Sequence, residues 1–435
     1  MDMDNTGIPQ EELDKLLNIP YKKETRFIAP VALKNLRFVN RAIKSIKEET
    51  KGDLKGLRKD LQKNVNRAFI LIVGNLVFSV FERSPLAIQG DHKAYNKGGY
   101  LRSLFLTKKA VDTVVQALIK HKYIIKRKGN EAAKRANQYQ PLKKLETILI
   151  SLVYQVEEEY KETMNVVIFN NKSESGINND SQSASGIDTT RRLFSQQELS
   201  KDHPDVKALR RINRVLKGCT YPLKSPVYRI FSYGDPMQGG RLYTRLQTLP
   251  DRRARIRINT LLNGEPVAEV DLSANHPRML MALNAHKPLS PTFYEDVAKA
   301  TKTTRDQVKF FMTRAIGASN RRISLKEGNS KDWSKNKTVM TVNKKHKLEE
   351  HLEREYPEIF ESLYKGVGIY LQGLEGDILL KTMLKLLDKD IPSLPVHDAV
   401  YVQQRSAAKA QKALESSWME VLHVPFKPVT KIDKT

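Results

Sequence analysis

The sequence predicts an α+β fold, and three observations carry that prediction. Apolar residues recur every three or four positions through much of the first half, the spacing of a helix face turned to a core. Pro266 to Leu272 reads as a strand running into a helix that starts near Pro277, since proline suits a helix's first turn. Leu394 to Val402 holds two short apolar segments around the polar pair His397-Asp398, the pattern of a hairpin. At 435 residues the chain can bury a sizeable core in two or three domains.

Residues 1–27 read as a loosely ordered arm, acidic and polar at its start and without the apolar run of a signal peptide. Residues 28–168 read as a mostly helical, basic N-terminal domain. The helical pattern runs from about 29 to 83, with Leu54, Leu57, Leu61, Val65 and Phe69 on one face. Ala68 to Phe81 is the longest apolar run; Gly74, Asn75 and Ser79 interrupt it, and it reads as a buried helix too short to span a bilayer. After a polar connection from Pro85 to Tyr100, helical spacing resumes over 101–125 and 142–164. Residues 169–195 read as a flexible linker, because Asn170 to Thr190 is rich in Ser, Asn and Gly. A basic helical stretch returns from Gln196 to Leu216.

The net charge is +26 and the pI about 9.8, so a polyanionic partner is expected, nucleic acid first and an acidic protein or membrane surface second. Lys120 to Lys128, with Lys134, Arg135, Tyr139, Lys143 and Lys144, interleaves cations with tyrosines. That pattern serves either to grip phosphates and stack bases or as a solvated basic face. Arg252, Arg253, Arg255 and Arg257 alternate partly, as along a strand. The many lysines between Ser319 and Lys347 form either a mobile loop over nucleic acid or plain disorder. One cysteine, Cys219, excludes an internal disulfide and any multi-cysteine zinc site, and an intracellular location is expected.

The strand ending at Leu272 and the hairpin tip at His397 each present one aspartate, Asp271 and Asp398. Two carboxylates brought side by side repel each other unless a cation lies between them. A hard divalent ion with oxygen ligands, Mg²⁺, suits that place, and two such ions activate an attacking oxygen and stabilise a leaving one.

Together these stretches resemble motifs A and C of the family A DNA polymerases and the phage-type single-subunit RNA polymerases. Asp271, Ser273 and Arg278 stand in the motif A register, and His397-Asp398 in motif C, with Ala399 where the DNA enzymes carry Glu. Tyr370 to Ile378 resembles the family's Gln-Gly-x-x-x-Asp-Ile helix, through Gln372, Gly373 and Asp377. Gly240-Arg241-Leu242 and Leu246-Gln247 with Pro250 resemble two elements that precede motif A. Arg305 and Lys309 have the four-residue spacing of the motif B cations; the family's later aromatic is missing and Ile316-Gly317 comes one residue early. The resemblance covers roughly 230 to 405.

It implies a right-hand-like palm over 227–282 and 351–435, reduced helical fingers over 283–350 and a thumb-like segment over 196–226. Asp271 and Asp398, with the carbonyl of Leu272, would hold two Mg²⁺; Lys309 and Arg305 would act on the triphosphate. His276, Arg278, Arg314, Arg241, Gln372 and His397 would bind substrate. The partners would be a DNA primer-template or template and nucleoside triphosphates, without a membrane; the sequence names no replication or transcription partner. His276 stands five residues after the motif A aspartate, where the DNA enzymes carry a Glu and the RNA enzymes a Gly. Its bulk argues for deoxynucleotides; a hydrogen bond from it to a 2′-hydroxyl would instead make the protein an RNA polymerase or primase. A non-catalytic nucleic-acid-binding protein on a decayed polymerase fold is the alternative of another class.

Overall fold

The computed structural model describes residues 26–27, 37–89, 92–96, 99–127, 136–154, 160, 165–170, 202–232, 235–236, 238–249, 255–323 and 340–434. The expected arm, apart from Arg26 and Phe27, and the linker beyond Asn170 lie outside the described residues, as do Arg252, Arg253 and the lysines between 324 and 339. The architecture is α+β. One continuous apolar core runs through the described chain, from Phe38 to Val424.

The first part joins helices to a four-stranded sheet. Its elements are β1 (Arg26–Phe27), α1 (Arg37–Glu49), α2 (Lys59–Glu82), β2 (Leu86–Ile88), α3 (Tyr100–Ser103), α4 (Lys108–Lys120), β3 (Ile124–Arg127), β4 (Asn137–Pro141) and α5 (Lys143–Tyr154). The strand order is β1-β2-β4-β3, with only β1 and β2 parallel. The apolar run from Ala68 is the buried part of α2, which turns Val65, Phe69, Ile72, Val73, Leu76 and Val80 into the core. Among the described residues this helix alone is long and apolar enough to cross a membrane, and 72% of its apolar window is buried in the protein.

The helix expected over 101–125 is broken. Phe105 takes a positive φ of 58°, and Thr107 restarts the chain as an N-cap whose side chain accepts from the Ala110 amide. Ile124–Arg127 is then a strand, because it finds β4 as an antiparallel partner. Such long-range pairing outweighs the weak local helical pattern.

Next come β5 (Val167–Asn170), α6 (Pro204–Lys217), β6 (Tyr228–Ser232) and β7 (Gly239–Tyr243), with strand order β5-β6-β7. β5 runs parallel to β6 and so crosses the boundary expected at residue 169. The remaining elements are β8 (Leu261–Leu262), β9 (Glu265–Leu272), α7 (Asn275–Ala285), α8 (Phe293–Thr301), α9 (Arg305–Gly317), α10 (Val342–Glu355), α11 (Pro357–Phe360), α12 (Gly368–Leu387), β10 (Leu394–Val396), β11 (Ala399–Gln403), α13 (Ala407–Leu422) and β12 (Thr430–Lys434).

Their sheet has the order β10-β11-β9-β12, with β8 also on β9, all antiparallel. Along β9 the pleat sends Ala268, Val270 and Leu272 into the core and leaves Glu269 and Asp271 half-buried on the other face. β11 is buried along its whole length, as suits a central strand. Residues 255–260 form turns instead of the expected strand. Arg255 there binds Asp433 with both guanidinium ends at 2.9 and 3.1 Å, and Arg257 stacks over Tyr401.

Candidate active site

The hairpin forms where the apolar pattern places it. Val396 faces Ala399 across it, so His397 and Asp398 make a two-residue turn. His397, with φ of 56°, is exposed, and Asp398 is half-buried. In the neighbouring pair Ala399 faces Asp271, which brings Asp398 to the end of β9. The Ser273 amide donates to the Val429 carbonyl at 2.8 Å and fixes the exit of that strand. Burial, and then the charges of Asp398 and Glu269, push the Asp271 carboxyl up to about 8; Lys309 opposes the rise. Asp398 is pushed up to about 6 by burial and then by Glu375, against Arg241 and His276. The repulsion belongs to the cluster and not to one residue.

Beside this pair lies a charge network that sequence reasoning missed. Glu375 on α12 is 1% exposed. One of its oxygens accepts from Arg241 Nε at 2.7 Å; the other accepts from Asn275 Nδ2 at 3.3 Å. The second oxygen is also 3.2 Å from His276 Nε2, an ion-pair distance without a well-directed hydrogen bond. Burial works to raise the Glu375 pKa, but Arg241 and His276 outweigh it and hold the carboxyl down at about 2. Asn275 is itself fixed, accepting from Trp418 Nε1 at 3.2 Å. A signal for Glu375 was present: it shares a helix face with Leu371, Ile378 and Thr382, all buried.

On the helical side, α9 starts at a full capping box between Thr304 and Gln307. Arg305 and Lys309 share a face, as expected, but have different surroundings. Lys309 is exposed, and its charge reaches Asp271. Arg305 donates to Glu295 at 2.6 Å and lies 5.6 Å over the Tyr294 ring. Tyr294 is buried within the field of Asp398, and burial and that charge both raise its pKa. Arg314 lies over Phe310, farther along the helix.

Arg278 is 4% exposed and donates to the carbonyls of Ser273, Leu289, Ser290 and Pro291. The structure therefore makes it a brace between the turn after β9 and the segment leading into α8. Gln372 is half-buried on α12, one turn before Glu375. Asp377 accepts from Arg229 at 2.6 Å, and the same guanidinium donates to Gly240 and Gly373 carbonyls and to Asp205. The tyrosines interleaved with the N-terminal cations are buried and not open for base stacking: Tyr123 is 0% and Tyr139 6% exposed. Lys144 and Lys120 are paired with Glu49 and Asp53.

Among the described residues no three His, Cys, Asp or Glu side chains converge on a metal position. Asp271 and Asp398 offer oxygen donors of the kind a hard divalent cation takes, and the charge of Asp398 acting on Asp271 is a repulsion such a cation would relieve. No family model matches the chain, and no curated protein matches it.

Proposed function

We propose that the chain is a templated nucleotidyltransferase built on a right-hand-like palm, most simply a DNA polymerase of the family A type. The observation that carries this reading is the juxtaposition of Asp271 and Asp398 at one strand end, with the charge of Lys309 reaching Asp271, in the order of the resembling motifs. Bound Mg²⁺, held by both carboxylates and the Leu272 carbonyl, would activate the attacking oxygen and stabilise the leaving phosphate. Lys309 neutralises charge on the triphosphate from the exposed face of α9, and Arg305 joins it by exchanging Glu295 for phosphate. The His276 edge that carries Nε2 is turned to Glu375, which favours a ring that blocks a 2′-hydroxyl over one that donates from that nitrogen.

The test is extension of a primed template with dNTPs and NTPs in parallel. Asp271→Asn and Asp398→Asn are expected to lower extension by at least about a thousandfold, the scale of losing an electrostatic centre of catalysis. DNA binding should stay within about twofold of wild type, because its contacts are made to phosphates elsewhere. Extension by either variant at near the wild-type rate would remove the reading, and binding without extension by the wild type would favour a decayed fold.

A further inference from the structure

Arg241 lies in the field of two carboxylates and touches one. Its Nε donates to Glu375 at 2.7 Å, while it and Asp398 each stabilise the other's charged form. The fold brings their two strands together. β7, which carries Arg241, abuts β10, the strand leading into the Asp398 turn, and Thr244 Oγ1 donates to the Pro395 carbonyl at 3.4 Å. A guanidinium matches a carboxylate in shape and charge, so an unheld Arg241 competes with any cation for Asp398.

We propose that Glu375 is a positioning residue that holds Arg241 off Asp398 and so keeps the Asp398 carboxylate open to a divalent cation. The inference rests on the two-carboxylate reading of the site. Three features support it beyond an ordinary buried ion pair. Glu375 accepts from donors on two other segments, Arg241 on β7 and Asn275 after β9, so its position is set from both sides. Its helix cannot drift from β7, because α12 and that strand meet at Gly376 and Gly240. The charge is also costly to bury, and Arg241 is the partner that makes it tolerable.

The test is Mn²⁺ binding to the full chain without nucleotide, followed by electron paramagnetic resonance. Glu375→Asp keeps the charge but withdraws the carboxylate by one methylene, and should weaken Mn²⁺ by about fivefold; Glu375→Gln should weaken it by about tenfold. Glu375→Gln with Arg241→Gln removes holder and competitor together, and should return affinity to within about twofold of wild type. The double variant removes both members of the Arg241–Glu375 pair and so strands neither, and it and Glu375→Asp carry the test even if Glu375→Gln alone does not fold. Wild-type affinity in Glu375→Asp overturns the inference, as does a double variant as weak as Glu375→Gln. If wild type binds Mn²⁺ no better than Asp271→Asn, the site reading falls and this inference with it.

Discussion

At Asp271, burial and the charge of Asp398 act in the same direction, and the fold keeps both. A carboxyl whose folded pKa lies above its unfolded value stabilises the fold fully below the unfolded pKa. That stability is lost as pH rises through the folded pKa. For Asp271 the window runs from 3.8 to about 8, and for Asp398 from 3.8 to about 6. In EDTA, Asp271→Asn should therefore be more stable than wild type at pH 8, by roughly 1–3 kcal/mol once relaxation is allowed for. The difference should vanish near pH 4 and shrink at pH 8 when Mg²⁺ is added. Thermal unfolding at the two pH values, with and without Mg²⁺, measures it. A variant less stable than wild type at pH 8 in EDTA would mean that the carboxylate is satisfied within the protein and needs no cation.

Among the elements, α12 is the one on which the site depends most, and its glycines show why. A Cβ on Gly376 would lie 1.9 Å from the Gly240 carbonyl oxygen, backbone against backbone, where no side chain can yield. Gly240 itself has φ of 84°, and a Cβ there would meet Phe231 at 2.6 Å. Gly376→Ala must push α12 off β7, and should cost about 3 kcal/mol or more, as severe overpacking does. It should also disturb the proposed site, since Arg241 and Glu375 flank that contact. Gly368→Ala meets Gly317 Cα at 3.1 Å, so a small shift suffices and about 1 kcal/mol is expected. Urea midpoints for the two variants should rank in that order; equal values would show that the α12–β7 approach is not rigid. Much of this region was legible in the sequence. The β10–β11 hairpin rests on two short apolar segments around a polar pair, and the strand before Asp271 on a run that ends at a helix start; a local reading detects both. Glu375 escaped because an acid in a helix is usually solvated, and only the tertiary approach of β7 buries it. Arg278 had the motif's spacing, but the carbonyls that engage it lie partly on the loop after α7, which local pattern does not place.

Across the whole molecule the net charge of +26 is unevenly engaged. Arg229, Arg241, Arg257 and Arg278 are drawn into the fold, and Lys120, Lys144 and Arg255 are paired with acids. The sequence showed these cations but not which of them face water, because pairing joins residues far apart in the chain. Lys126 and Arg127 are different: both are exposed on β3, at the edge of the N-terminal sheet. Charges on an edge strand also serve to block pairing with other chains, so exposure alone does not make them a binding surface. Salt dependence separates the two roles. A protein that neutralises six to ten phosphates loses about 10³ to 10⁵ in affinity between roughly 50 and 200 mM salt, and each phosphate contact contributes about 0.9 to the slope on duplex DNA. Wild type should show a steep slope on a primed duplex. If Lys126 and Arg127 each contact a phosphate, replacing both by Gln should flatten the slope by nearly two and weaken binding uniformly across sequences. If they only guard the sheet edge, slope and affinity should stay unchanged while the variant self-associates at high concentration, as sedimentation would show. A flat salt dependence in the wild type would mean that the charge serves another partner, and the nucleic-acid reading would lose its whole-molecule support.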